Sequence, residues 1–238
     1  MLPGETEECG PAEDLAAAAM TLARRCAAGA TLWCVAPPWP SHSRHVAVEF
    51  VHPVIVGKRA LPAISIDGAR ARESVRLLAR PGDVLLAVST ADDACTLDLL
   101  ERAEAWGLTR VWIGAGPRPL GGRAEHVVWL EGADPRLATR SGDVVLLYHL
   151  LWELTHVVFE HPGLLRAEPD CTEEVCITCS DEGRVAEVRH ALGGGMVEVI
   201  VEGRLETIDA TLVEPVTSGD LVLVHAGVAL TALGDGSA

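Results

Sequence analysis

The chain has 238 residues, 49% of them apolar, enough to build a real core in one large domain or two unequal ones. Its formal charge of −15, from 34 acidic and 19 basic residues, leaves no basic excess to displace counterions from a phosphate backbone and argues against nucleic acid as a partner. No apolar run reaches the ~20 residues needed to cross a bilayer, and the acidic start Met1-Leu-Pro-Gly-Glu-Thr-Glu-Glu8 has no apolar signal-peptide core, so no membrane partner and a cytoplasmic location are expected.

Residues 12–28 are alanine-rich helix formers that stop at Gly29, the residue type that closes a helix. Thr31 to Ala36 then reads as a buried strand. The alternation continues with a helix over 41–52, strand 63–66, helix 71–79, strand 84–89, helix 93–106, strands 110–113 and 126–130, and one long helix over 135–160. Short apolar runs alternating with helical ones predict a doubly wound α/β domain, a parallel sheet with helices on both faces.

After His161-Pro-Gly163 the chain turns polar, through Glu168-Pro-Asp-Cys-Thr-Glu-Glu174, which marks a boundary. The reading is a first domain over 1–163, a linker over 164–175 and a second domain over 176–238. The acidity divides unevenly: residues 170–238 hold 13 acids and 3 arginines, residues 1–169 hold 21 acids and 16 bases. In the second part, strands over 183–190, 196–202, 204–212 and 221–233 are separated by glycine turns, the pattern of a small β-barrel of OB or SH3-like size.

Seven cysteines stand at 9, 26, 34, 95, 171, 176 and 179. In a reducing compartment the C-terminal cluster points to thiol or metal chemistry rather than disulfides. Cys26, Cys34 and Cys95 lie among alanines, leucines and valines and are expected to be small buried hydrophobes. One reading of the cluster is a structural zinc site drawn from Cys171, Cys176, Cys179 and His225.

The other reading comes from a resemblance. The Cys176-Ile-Thr-Cys179 pair, Thr211-Leu-Val213, the Gly219-Asp220 turn and Val222-Leu-Val-His-Ala-Gly227 together resemble the HypC/HupF hydrogenase maturation chaperones over roughly residues 171–235. The resemblance implies that a thiolate carries an Fe(CN)2CO unit with the histidine of the "VLVHAG" motif nearby, here Cys176 with Cys179 as a resolving or co-ligating thiol, and His225. Soft thiolate donors suit such an iron, and an imidazole can add a ligand or steer protonation. The family's cysteine usually stands at the chain terminus before a Pro-Gly pair. In this chain it is internal and Glu182-Gly183 takes that place. The implied partners are a HypD-like maturation protein and a hydrogenase large-subunit precursor.

The first domain resembles the SIS (sugar isomerase) fold, especially phosphoheptose isomerases, over roughly 12–160. The resemblance rests on His45-Val-Ala-Val-Glu49, Leu61-Pro-Ala-Ile-Ser-Ile66, Pro81-Gly-Asp-Val-Leu-Leu-Ala-Val-Ser-Thr90 and the long last helix. It implies a phosphosugar site with Ser41, Ser89, Thr90, Asp92 and Asp93 at the ligand, and a divalent metal such as zinc on His45, Glu49 and His149. If isomerase activity is kept, Glu49 and His149 are the catalytic acid and base, and a sedoheptulose 7-phosphate type of substrate is implied. Where the family has glycines and serines this chain has Ala36-Pro-Pro-Trp-Pro40 and Ala91-Asp-Asp93, and the two carboxylates would repel a phosphate dianion. The domain is therefore expected to serve oligomerisation or ligand sensing for a chaperone, with isomerase activity as the alternative. His149, Glu153, His156 and Glu160 share one helix face, and Glu153 and Glu160 are expected at solvent or a subunit contact.

Overall fold

A computed structural model describes residues 11–165 and 183–233, apart from 69, 120 and 214, and leaves the side chains of 137, 139 and 141 undescribed. The first domain runs α1 (Pro11–Ala27), β1 (Leu32–Val35), α2 (Pro40–Val51), β2 (Ala63–Ile66), α3 (Ala71–Leu78), β3 (Val84–Val88), α4 (Ala94–Ala105), β4 (Thr109–Ala115), β5 (His126–Leu130), α5 (Pro135–Ser141), α6 (Asp143–Glu160) and α7 (Pro162–Leu165). Five strands pair in the order β2-β1-β3-β4-β5, all parallel. Side chains of a strand alternate between faces, so Leu32 and Cys34 enter a core with α1, α2 and α6, whereas Trp33 and Val35 enter a second core with α3 and α4. The doubly wound α/β prediction holds.

Two details differ from the expectations, and Glu153 and Glu160 stand at solvent as expected, 45% and 56% exposed. The long helix breaks at Gly142, whose φ of 91° is left-handed, so Gly142 ends α5 and precedes α6. Cys95 is exposed near the start of α4, while Cys26 and Cys34 are buried as expected, and burial pushes the Cys34 thiol up and that of Cys26 up to about 11. Glu153 and Glu160 both bind Lys58 Nζ, at 3.3 and 2.8 Å. His156 on the same helix is buried, its ring nitrogens 2.8 and 2.9 Å from the carbonyls of Trp152 and Arg59.

The second domain comprises β6 (Arg184–Gly193), β7 (Met196–Val201), β8 (Arg204–Asp209), β9 (Leu221–His225) and β10 (Val228–Leu233), which close into a barrel in the order β10-β8-β7-β6-β9. Its interior is packed with small and β-branched side chains, among them Ala186, Val188, Val199, Val201, Val222 and Val224. The run 221–233 is two strands, because Ala226 and Gly227 take φ of 49° and 80° and turn the chain back as a two-residue hairpin. The linker proposed over 164–175 lies outside the described residues except for Leu164 and Leu165, which belong to α7.

The two domains touch closely. Trp106, which closes α4, donates Nε1–H to Glu187 Oε2 at 2.6 Å, and Arg76 of α3 pairs with Glu187 Oε1 at 2.7 Å. Glu187 is only 2% exposed, so both partners compensate its loss of hydration. Gly203 N–H donates to Ala105 O at 2.8 Å, and a Cβ on Gly203 would lie 2.2 Å from Pro81 Cγ. Val185 and Ile200 of the barrel join the core beneath α3 and α4. Replacing Glu187 with Ala leaves Arg76 and Trp106 without their shared acceptor, and we expect a loss of about 3 kcal/mol in unfolding free energy by urea denaturation; wild-type stability in that variant would refute the role assigned to the contact.

Candidate functional site

The sheet order places β1 and β3 side by side with connections leaving in opposite directions, so their C-terminal ends open a crevice of the kind where open α/β sheets bind ligands. A cavity of about 420 Å³ lies there, lined by Pro37 and Pro40 before and at the start of α2, Arg72 of α3, and Cys95, Asp98 and Leu99 of α4. The five residues expected at a ligand are outside this lining. Ser41 is exposed. Ser89 is fully buried, its hydroxyl accepting from Trp112 Nε1 at 2.9 Å and donating to Thr90 O at 3.0 Å, so its hydrogen-bonding capacity is used inside the protein.

The two aspartates divide. Asp93 is the N-cap of α4, its Oδ1 accepting from the backbone N–H of Thr96 at 2.8 Å and from the Thr96 hydroxyl at 2.7 Å. Asp92 is exposed, and hydrogen bonds from the Thr90 hydroxyl and from its own backbone hold its carboxyl below the usual range. The helix terminus that could have held a phosphate therefore carries a built-in carboxylate.

The residues expected to hold a metal do converge. His45 and Glu49, one helical turn apart on α2, face His149 of α6. His45 Nε2 lies 3.3 Å from Glu49 Oε1 and 3.3 Å from His149 Nε2, and His149 Nε2 lies 3.7 Å from Glu49 Oε1. A tetrahedral site with zinc bonds of about 2.0–2.1 Å has edges of about 3.4 Å, so these three atoms already sit near three corners of one. The side chains of His45 and His149 are 39% and 44% exposed, which leaves the remaining corner toward water.

Two residues singled out by neither spacing nor motif hold side chains of α2, and the first of them adjoins the triad. Tyr148 OH lies 2.9 Å from His45 Nδ1 and 3.3 Å from His42 Nδ1, and burial together with the Glu49 charge pushes its hydroxyl up to about 12. Asp67, at the end of β2, accepts from the hydroxyls of Ser43 at 2.7 Å and Ser65 at 3.3 Å. A trace of each was present in the sequence, as a lone tyrosine beside His149 and as Ser65-Ile-Asp67 closing an apolar strand.

In the barrel, Arg184 pairs with Val224, and the antiparallel register carried one step further sets Gly183 against His225. The chain thus enters the barrel beside its histidine. Cys171, Cys176 and Cys179 lie outside the described residues.

Against known families, residues 179–238 match the model of the HupF/HypC family. This segment is a HupF/HypC domain. The matched range opens on Cys179 and contains His225, whereas Cys176 lies before it. The phosphoheptose isomerase from Francisella tularensis superposes on 60% of this chain and 85% of its own, with 16% identity and a TM-score of 0.52. The phosphoheptose isomerase from Neisseria gonorrhoeae covers 61% of this chain and 86% of its own at 19% identity, with a TM-score of 0.48. The first of these likenesses establishes the isomerase-like fold of the N-terminal domain. No curated protein matches the chain. Among the described residues, no helix is long and apolar enough to cross a membrane.

The cap geometry separates the neighbouring aspartates by experiment. Asp93→Ala is expected to lower stability by about 1 kcal/mol in chemical denaturation, while Asp92→Ala changes it by less than about 0.5 kcal/mol.

Proposed function

We propose that the protein is a chaperone of nickel-iron hydrogenase maturation, and that its HupF/HypC domain carries an Fe(CN)2CO unit to the large-subunit precursor after receiving it from a HypD-like partner. The observation that carries this reading is the family match over 179–238, which joins Cys179 and His225 in one domain. The barrel register adds a physical reason. Gly183 stands opposite His225, and the four residues back to Cys179 span at most about 14 Å, against about 25 Å for the seven back to Cys176. The shorter tether and the start of the matched range both favour Cys179 as the thiol that carries the iron with His225, and make Cys176 the auxiliary thiol.

The isomerase-like domain serves in this reading as a ligand-sensing and oligomerising partner within the cytoplasm. His45, Glu49 and His149 would hold a divalent cation such as zinc, which when bound supplies a Lewis acid with one position open to water. Turnover of sugar phosphates is the second reading, favoured by the same triad, since Glu49 and His149 lie within reach of one substrate carbon pair. Asp93 at the α4 terminus and the prolines lining the crevice oppose it, because Asp93 takes one first-turn amide and sets a carboxylate there, and a proline has no amide to give.

Two measurements test these readings. Anaerobically purified protein co-expressed with a HypD-like partner should show cyanide and carbonyl infrared bands, reduced at least tenfold in Cys179→Ala and in His225→Ala and less in Cys176→Ala; bands that persist in all three variants would overturn the assignment. Zinc-loaded protein should leave sedoheptulose 7-phosphate unchanged, and measurable turnover abolished by Glu49→Gln would establish the isomerase reading instead.

A further inference from the structure

His45 is held at both ring nitrogens. Its Nε2 faces Glu49 Oε1 and His149 Nε2, each at 3.3 Å, and its Nδ1 faces the Tyr148 hydroxyl at 2.9 Å. The same hydroxyl lies 3.3 Å from His42 Nδ1. Tyr148 is 1% and His42 8% exposed, so this part of the network is sealed from water that could replace a lost partner. The rings stack edge to face, His45 on Tyr148 at 5.3 Å and His42 on Tyr148 at 5.9 Å between centroids.

A phenol has one proton, and two imidazole nitrogens face it. It can donate to only one of them and must accept from the other. If His42 Nδ1–H donates to the phenol, the phenol donates to His45 Nδ1, and the proton of neutral His45 then sits on Nε2, where it points at Glu49 and blocks a metal. If His45 Nδ1–H donates to the phenol, the phenol donates to His42 Nδ1, and His45 Nε2 presents its lone pair to Glu49 and His149. Both arrangements keep every ring neutral, with protons exchanged through solvent, so the choice is one of tautomer.

We infer that Tyr148 is a positioning residue for the cation site: its hydroxyl, anchored by His42, accepts from His45 Nδ1–H and so fixes the tautomer in which Nε2 can ligate a divalent cation beside Glu49 and His149. The inference rests on the cation site of the preceding section. It goes beyond that site because Tyr148 and His42 are not ligands. Helix geometry gives Tyr148 this place: one residue before His149 on α6, it is turned by about 100° and enters the packed α2–α6 contact while His149 stays half-exposed. Partners of this kind on a metal-ligating histidine typically change affinity by about 10–100-fold.

The chain has a single tyrosine, so a protein labelled with ¹³C at tyrosine Cζ gives one signal that reports this hydroxyl. Zinc affinity is measured on the full chain by competition with a chromophoric chelator, for wild type, Tyr148→Phe, His42→Phe and the triple variant His45→Ala/Glu49→Ala/His149→Ala. Zinc should shift the wild-type tyrosine signal, and Tyr148→Phe should bind zinc about 10–100-fold more weakly while keeping the wild-type circular dichroism spectrum. His42→Phe should weaken zinc by a smaller factor and abolish the shift. A folded Tyr148→Phe protein with wild-type zinc affinity, or a tyrosine signal unmoved by saturating zinc, overturns the inference while leaving the cation site standing. Wild type that binds no zinc, or binds it as tightly as the triple variant, overturns the cation site and this inference together. If Tyr148→Phe does not fold, the wild-type signal and the His42→Phe titration decide.

Discussion

A carboxylate taken almost wholly out of water sets the relation between the two halves of the chain. Glu187 sits on the first barrel strand, yet its hydrogen-bond partners, Trp106 and Arg76, belong to the α/β domain. Such a group is tolerable only while both partners stay in place, so separating the domains would cost the hydration the carboxylate has already given up. Two glycines let the backbones close around it. A side chain at Gly107 would meet Glu202 O at 2.7 Å and one at Gly203 would strike Pro81, and both glycines hold positive φ. The barrel is thus seated on α4 in one orientation, with the strand end that carries His225 fixed relative to the sheet. An α/β domain tethered by a loose linker could not hold His225 in one direction in this way.

Helix α3 belongs to this contact as much as to its own domain. Of its eight residues only Val75 is buried in the core, while Arg76 reaches Glu187 and Arg72 lies 3.5 Å from Asp98 of α4. Arg72 and Glu73 line both the crevice above β1 and β3 and a second cavity of about 410 Å³ between the domains, where Arg102, Trp106 and Glu187 complete the wall. A helix with so little core attachment takes its position from the charges on either side of it. The crevice and the seat of the barrel therefore share helix α3 as a wall.

Much of this was legible in the chain before its structure. Alternating apolar runs gave the parallel sheet, because strands buried on both faces, as Val84 to Val88 are, must be apolar throughout. The i, i+4 spacing placed His45 and Glu49 on one face, and His149 met them because α2 and α6 pack together. What stayed illegible depended on tertiary direction or on local backbone. Gly142 lies inside the predicted long helix, where Ser141 and Asp143 beside it signal a break that the apolar runs on either side outweigh. Cys95 has apolar neighbours in sequence but occupies the crevice side of α4. Ser89 reads as a strand-end hydroxyl facing a ligand, yet the indole of Trp112, 23 residues on, claims it. Glu187 looks like one more solvated acid in an acidic domain, and its burial follows from a surface belonging to the other domain.

Holding a phosphate dianion and holding a cation make opposite physical demands, and the crevice and the α2–α6 face of this domain differ in the same way. A dianion needs uncommitted amides at a helix terminus, and each helix that opens on the crevice has one fewer to give. In α4 the Asp93 carboxylate takes the Thr96 amide, and α2 begins at Pro40, which has no amide proton to give. A cation corner needs neutral imidazoles and a carboxylate on facing helices, which is a matter of helix packing and survives any change in the loops. His45, Glu49 and His149 stand on the middles of α2 and α6, beneath which Phe50, Val46, Leu147 and Leu151 are buried. Removing that packing would cost the fold itself, whereas the loops at the crevice can change without disturbing it. The triad is thus held in place by the same contacts that hold the domain together.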